Sequence, residues 1–188
     1  VQPRPATAEG PDVWLGGGSS LDSAALAASL GLPLQLPGVF AGAAAFTRLA
    51  DHYRALWDDA GHADAPRVGY TAHCLVGADG DAAREEWAPW HLGYLTWVWE
   101  LICAQSGHAG PPPVKDRHAA YEDPVASPAL CGDAEEVADR VIAWHGTLAG
   151  IDRLIVKFDG GNLPEARVHE SMQRFAEDVA PRVRAAIG

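Results

Sequence analysis

Short β-forming segments alternate with helical ones along this chain, and that alternation constrains the fold more than any other feature. Val13-Trp14-Leu15 reads as a strand stopped by Gly16-Gly17-Gly18. Ser19 and Ser20 are good N-caps for the helix that follows, and Ser19 with Asp22 makes an S-x-x-D box. The alanine-rich helix body ends at Gly31. Leu32 to Leu36 is a second apolar segment, with Pro33 and Pro37 marking its two ends. Phe46, Leu49, Ala50, Tyr53, Leu56 and Trp57 then recur at helical spacing, and Gly61 supplies the stop.

Val68 to Val76 is rich in β-formers and reads as the third strand. Asp81 to about Cys103 is expected to be helical, broken or kinked near Pro89. Residues 104–130, with Pro111-Pro112-Pro113, read as a long loop of the kind that covers a site or links elements. Asp133 with Glu136 forms a second capping box, and Val137, Val141, Trp144 and Leu148 make one apolar helix face closed by Gly150. Ile151 to Phe158 is the fourth strand. Pro164 opens a final helix and Pro181 is expected to close it.

Strands alternating with helices imply a parallel sheet. Helices on one face alone would leave the other bare, and parallel sheets are normally covered on both. A complete (β/α)₈ barrel needs about 250 residues; this chain has 188. The expected architecture is therefore α/β, half of a TIM barrel. Four parallel strands alternate with helices, with an inserted helix and long loop, in one domain over residues 1–188.

Charge narrows the function. Fourteen basic residues against 25 acidic ones give a net charge of −11, a field that repels polyphosphate backbones and anionic membranes. Cys74, Cys103 and Cys131 lie far apart with no CxxC pair, which disfavours a disulfide framework or a thiolate zinc site. The eight histidines show no HExxH or other metal-ligand spacing, so no metal is expected. The first residues carry no signal pattern and no apolar run is long enough to span a bilayer, so a cytoplasmic location is expected. The chain begins at Val1 rather than at an initiator methionine, as a processed or excised piece would.

The most informative local feature is Trp14 to Ala28. Glycines directly after a strand let backbone approach a ligand, and the next helix points unpaired N–H groups and its positive dipole end at the same place. Ser19, Ser20 and Ser23 add hydroxyls. Such a cradle suits a phosphate without any basic residue. It has neither a Walker GK[ST] nor a GxGxxG pattern, and a plain serine-capped turn explains the same residues.

In order along the chain, Trp14 to Ser20, Ala27 to Pro33, Phe46 to Gly61, Arg67 to Arg84, Gly132 to Arg140 and Phe175 to Pro181 together resemble the luciferase-like flavin monooxygenases. The likeness extends over nearly all of the chain except residues 87–130. It implies the back half of a TIM-barrel enzyme that uses reduced FMN and oxygen on a small organic substrate, with a separate reductase supplying the flavin. Carried over residue by residue, the flavin-phosphate contacts fall at Ser19, Ser20 and Ser23, with Gly17 and Gly18 at the close approach. Bacterial luciferase-type members have an acidic residue where Ser19 stands. The family's first four strands, with its phosphate arginine and usual catalytic histidine and cysteine, have no counterpart in this chain.

Other residues carry two readings each. His73 or Tyr70, on the third strand, could face a flavin or substrate pocket; a hydrogen-bonded core histidine is the plainer account. Lys157 is either an anion ligand or a snorkelling surface lysine. The aromatic run Trp87 to Trp99 either walls an apolar cleft or packs against a helix layer or partner. His108 and His118 are expected in solvent. Adjacent strand residues point to opposite faces, so His73 and Cys74 are not expected to cooperate.

Three functions follow from the resemblance. The first is part of a flavin monooxygenase completed by an N-terminal half-barrel polypeptide. The second is a non-catalytic flavin-binding half-barrel that homodimerises. The third is an oxidoreductase using the deazaflavin F420.

Overall fold

The computed structural model describes residues 10–18, 20–107, 109–123 and 125–188. Ser19 and His108, both singled out above, lie outside the described residues. Among the described residues, five parallel strands alternate with six α-helices. They are β1 (Leu15–Gly16), α1 (Leu21–Ser29), β2 (Leu34–Pro37), α2 (Thr47–Ala60), β3 (Val68–Val76), α3 (Gly80–Ser106), β4 (Ala129–Gly132), α4 (Ala134–Thr147), β5 (Arg153–Lys157), α5 (Glu165–Arg174) and α6 (Ala180–Ile187). The four expected strands are all present, and β4 is an addition.

Pairing registers fix the sheet. Gly69 pairs with Gln35 of β2 and with Arg153 of β5, and His73 pairs with Ala129 of β4 and with Lys157 of β5. A strand has only two edges, so β2 and β4 succeed one another along one edge of β3 while β5 occupies the other. β1 extends the sheet beyond β2. The nine residues of β3 are thus its spine.

Period-2 alternation sorts β3 between two cores. Val68, Tyr70, Ala72, Cys74 and Val76 face the helices. There they meet Ala24, Ala27 and Ala28 of α1, Leu49, Tyr53 and Trp57 of α2, and Val137, Val141 and Trp144 of α4. Small alanines let α1 lie close to α2. Leu75, on the opposite face, joins a second cluster with Trp87 and Leu95 of α3, Tyr121 and Cys131. The inner face is therefore partly roofed by α3 rather than bare.

Local chemistry explains most boundaries. Asp133 accepts from the backbone N–H groups of Glu135 and Glu136 while the Glu136 carboxylate accepts from the Asp133 N–H, the reciprocal box expected there. Gly61 closes α2 in the left-handed region, φ 70°. α3 passes through Pro89 without ending. The carbonyl that Pro89 cannot serve belongs to Glu85, an exposed residue whose oxygen can turn to water.

Two expectations are corrected. Residues 104–130 are not one loop: α3 runs on to Ser106, His118–Glu122 form a single π-helical turn, and Ala129–Gly132 is β4. Pro181 does not end the last helix; it sits at the start of α6, directly after a π-helical turn over Phe175–Val179, and the helix runs on to Ile187. The described cap of α1 is Ser20, whose hydroxyl oxygen accepts from the Asp22 N–H at 3.1 Å.

Candidate functional site

The cradle sits where β1 hands over to α1. Gly17 is buried, and its N–H donates to the Gln35 carbonyl at 2.8 Å, tying the turn to β2. A Cβ at Gly17 would lie 2.9 Å from Leu34 Cδ1, so that position is packed from below. Gly18 differs: a Cβ there would meet nothing within 4 Å. Among the described residues, the space above Gly18 is open.

Two serines frame it. Ser23 donates its hydroxyl hydrogen to the Ser20 carbonyl at 2.7 Å and accepts from the Gly18 N–H at 3.4 Å. Ser20 Oγ accepts from Asp22, which leaves its hydrogen free to donate. An anion here would meet the Ser20 hydroxyl, the weakly held Gly18 N–H and the first-turn amides that α-helices leave unpaired. Asp22 adds one negative charge to the same turn, and the sequence from Gly16 to Ser29 holds no basic residue. The grip is therefore by dipoles and hydroxyls. These residues fit a phosphate ester with one open side.

A second cluster lies on the inner face of β3. His73 Nδ1 is 2.9 Å from His91 Nε2, and His91 Nδ1 is 3.1 Å from Tyr121 Oη. The three residues are 1%, 0% and 1% exposed. Trp87 stacks on His91 at 4.0 Å between ring centres, and its indole N–H donates to the Gly160 carbonyl at 2.9 Å. Burial depresses His73 to about 4, with Lys157 adding to the shift and Asp159 opposing it; burial also holds His91 well below its usual value. Both rings are neutral at pH 7.

Beside this cluster is a cleft of about 520 Å³ walled by Pro89, Trp90, Gly93, Tyr94 and Trp97 of α3 and by the turn Asp159–Asn162. That turn is pressed onto the helix. A Cβ on Gly161 would lie 2.6 Å from the Trp90 carbonyl carbon, and Asn162 adopts φ 60°, a conformation asparagine tolerates better than most. Tyr94 borders both features, edge-on to His73 at 5.3 Å, with Lys157 Nζ 5.8 Å from its ring centre.

His73 and Tyr70, considered together above, are separated. Three residues apart on a strand means opposite faces. Tyr70 is buried among the helices, its hydroxyl donating to the Ala41 carbonyl and its ring against Trp144 and Phe46. It reaches no inner-face cavity. The aromatic run divides likewise: Trp87 and Leu95 are core, while Trp90 and Trp97 are 47% and 56% exposed. His91, Tyr121, Asp159 and Asn162 were not singled out from sequence. The i, i+4, i+8 spacing of Trp87, His91 and Leu95 marks His91 as inward-facing; nothing marks Tyr121. Cys74 and Cys131 are buried, and desolvation pushes both thiols up. Among the described residues no three histidine, cysteine or acidic side chains could share a metal ion, and no helix is long and apolar enough to cross a membrane.

The fold is a parallel α/β sheet alternating with helices, with a glycine–serine corner at the end of β1. The sequence profile of the luciferase-like monooxygenases matches residues 1–150, and the chain belongs to that family. Solved structures of the same fold include the monooxygenase RslO1 from Streptomyces bottropensis. It is 21% identical with a TM-score of 0.72, over 96% of this chain and 50% of that one. Another is the oxygenating constituent of 3,6-diketocamphane monooxygenase from Pseudomonas putida in complex with FMN, 18% identical with a TM-score of 0.66, over 89% and 47%. A third is an F420-dependent secondary alcohol dehydrogenase, 17% identical with a TM-score of 0.57, over 90% and 48%. The chain spans about half the length of these structures. No curated protein matches it.

Proposed function

We propose that this chain carries the flavin-phosphate end of a luciferase-like monooxygenase, the FMN phosphate resting on Gly17, Gly18, Ser20 and Ser23 and, by resemblance, Ser19. The observation that carries this reading is the open side of the corner, where among the described residues a Cβ on Gly18 meets nothing within 4 Å and the Ser20 hydroxyl hydrogen has no acceptor. Bound reduced FMN would supply the redox chemistry with oxygen, while the chain's residues hold and orient it and shield its ring from water. The small organic substrate is assigned to the aromatic side of the inner face. The reduced flavin comes from a separate reductase.

The sheet supports a partner. Among the described residues β1 and β5 each pair along one edge only, and Ile155 on the inner face of β5 is 42% exposed. Open strand edges and a bare apolar residue suit completion by the front half of the barrel. A second copy of this chain is the other way to cover them.

Fluorescence titration with FMN and with F420, alongside light scattering, tests the reading. Quenching of FMN emission supports it. Binding of F420 alone moves the assignment to the deazaflavin branch, which the F420-dependent relative supports, and binding of neither overturns both.

A further inference from the structure

A polar atom sealed in a protein interior without a partner is rare in native folds. Among the described residues, His73 Nε2 is such an atom. The state of its proton follows from the chain of groups behind it. Burial keeps the Tyr121 phenol protonated and leaves each histidine ring with a single N–H. The acceptor offered to the Tyr121 hydrogen is His91 Nδ1, at 3.1 Å. His91 then carries its hydrogen on Nε2 and donates to His73 Nδ1, at 2.9 Å. That places the His73 hydrogen on Nε2. The reverse order would strand both the Tyr121 hydrogen and the Nε2 lone pair, two buried defects in place of one.

We propose that Tyr121, His91 and His73 hold a fixed N–H donor, at His73 Nε2, for an acceptor oxygen on a planar aromatic ligand bound against the inner face of the sheet. The surroundings suit that ligand. Lys157, beside His73 on the neighbouring strand, favours a carbonyl or phenolate-type oxygen over a cation. Tyr94 borders His73 and also the cleft walled by Trp90 and Trp97, whose exposed rings offer stacking faces to a flat molecule. The groups facing His73 are His91 and Tyr94 from α3, Lys157 and Asp159 from β5 and its turn, and Ala129 from β4. The ring system has two sources, the flavin or the organic substrate. The ligand, though not the donor, rests on the flavoenzyme reading.

Long-range ¹H–¹⁵N correlation spectra of the ¹⁵N-labelled full chain test the donor directly. His73 is expected as the Nε2–H tautomer, and Tyr121→Phe is expected to move it toward a mixture. An Nδ1–H tautomer in the wild-type chain overturns the proposal whatever flavin does. Titration with FMN and, separately, with 4-nitrophenolate tests the ligand. One of the two is expected to shift the Nε2–H signal downfield and to lose about tenfold affinity in His73→Phe. A shift with FMN alone names the flavin ring, and a shift with 4-nitrophenolate alone names the substrate. An Nε2–H signal unmoved by either probe at its solubility limit overturns the proposal. Failure of FMN to move the Gly18 and Ser20 amides counts against the flavin-phosphate reading alone, and the 4-nitrophenolate arm still decides the donor.

Discussion

The amide of Gly18 reaches the hydroxyl of Ser23 across 3.4 Å, a long and weak hydrogen bond on the open side of the loop. An anion that offers Gly18 a shorter bond displaces it at little cost. The loop is therefore poised to exchange a poor internal contact for a charge-assisted one.

Gly17 and Gly18 are predicted to respond differently to alanine. At Gly18 the methyl meets no neighbour, so the fold is expected to keep its stability within about 1 kcal/mol. At Gly17 the methyl presses on the Leu34 side chain and strains the β1–β2 pair. Urea denaturation separates the two: the midpoint is expected to fall for Gly17→Ala and hold for Gly18→Ala.

Gly38 follows β2 where the Tyr70 ring and the Thr71 carbonyl close over the backbone, and a Cβ there overlaps both. Thr71 O is backbone and cannot swing away. Gly38→Ala is expected to cost about 3 kcal/mol, read as a lowered midpoint in the same assay.

Stability is predicted to fall in mild acid. His73 is held near 4 in the fold, against about 6.5 in the unfolded chain. Between these values the unfolded state binds a proton that the folded state refuses, so stability is full above pH 6.5 and drains away toward pH 4. The loss from His73 is about 3 kcal/mol, with His91 acting in the same direction. Urea midpoints at pH 7 and pH 5 capture about 2 kcal/mol of it, and His73→Gln is expected to flatten the slope.

Thiol reactivity is expected to separate the cysteines. Cys74 and Cys131 are buried and unactivated, while Cys103 is partly exposed on α3. A disulfide reagent is expected to label one thiol rapidly in the native chain and three in urea. Rapid labelling of two or more in the native state would contradict the burial described here.

The alternation of strands and helices, the limits of β3 and the Asp133–Glu136 box were legible in the sequence because each depends on local signals. β4 was not. Its four residues follow a segment rich in proline and glycine, and only pairing with His73 to Val76 makes them a strand. Parity alone could have separated Tyr70 from His73, since an odd offset puts two strand residues on opposite faces. The His91–Tyr121 contact joins residues 30 apart through a π-helical turn, and no local pattern encodes it.

The central claim, a phosphate held at the β1–α1 corner, is tested most directly by comparing FMN with riboflavin, which lacks the phosphate. The account predicts that FMN binds about tenfold or more tightly, and that Gly18→Ala erases the difference while the chain stays folded. Equal affinity for the two, or an FMN preference untouched by Gly18→Ala and Ser20→Ala together, would contradict it.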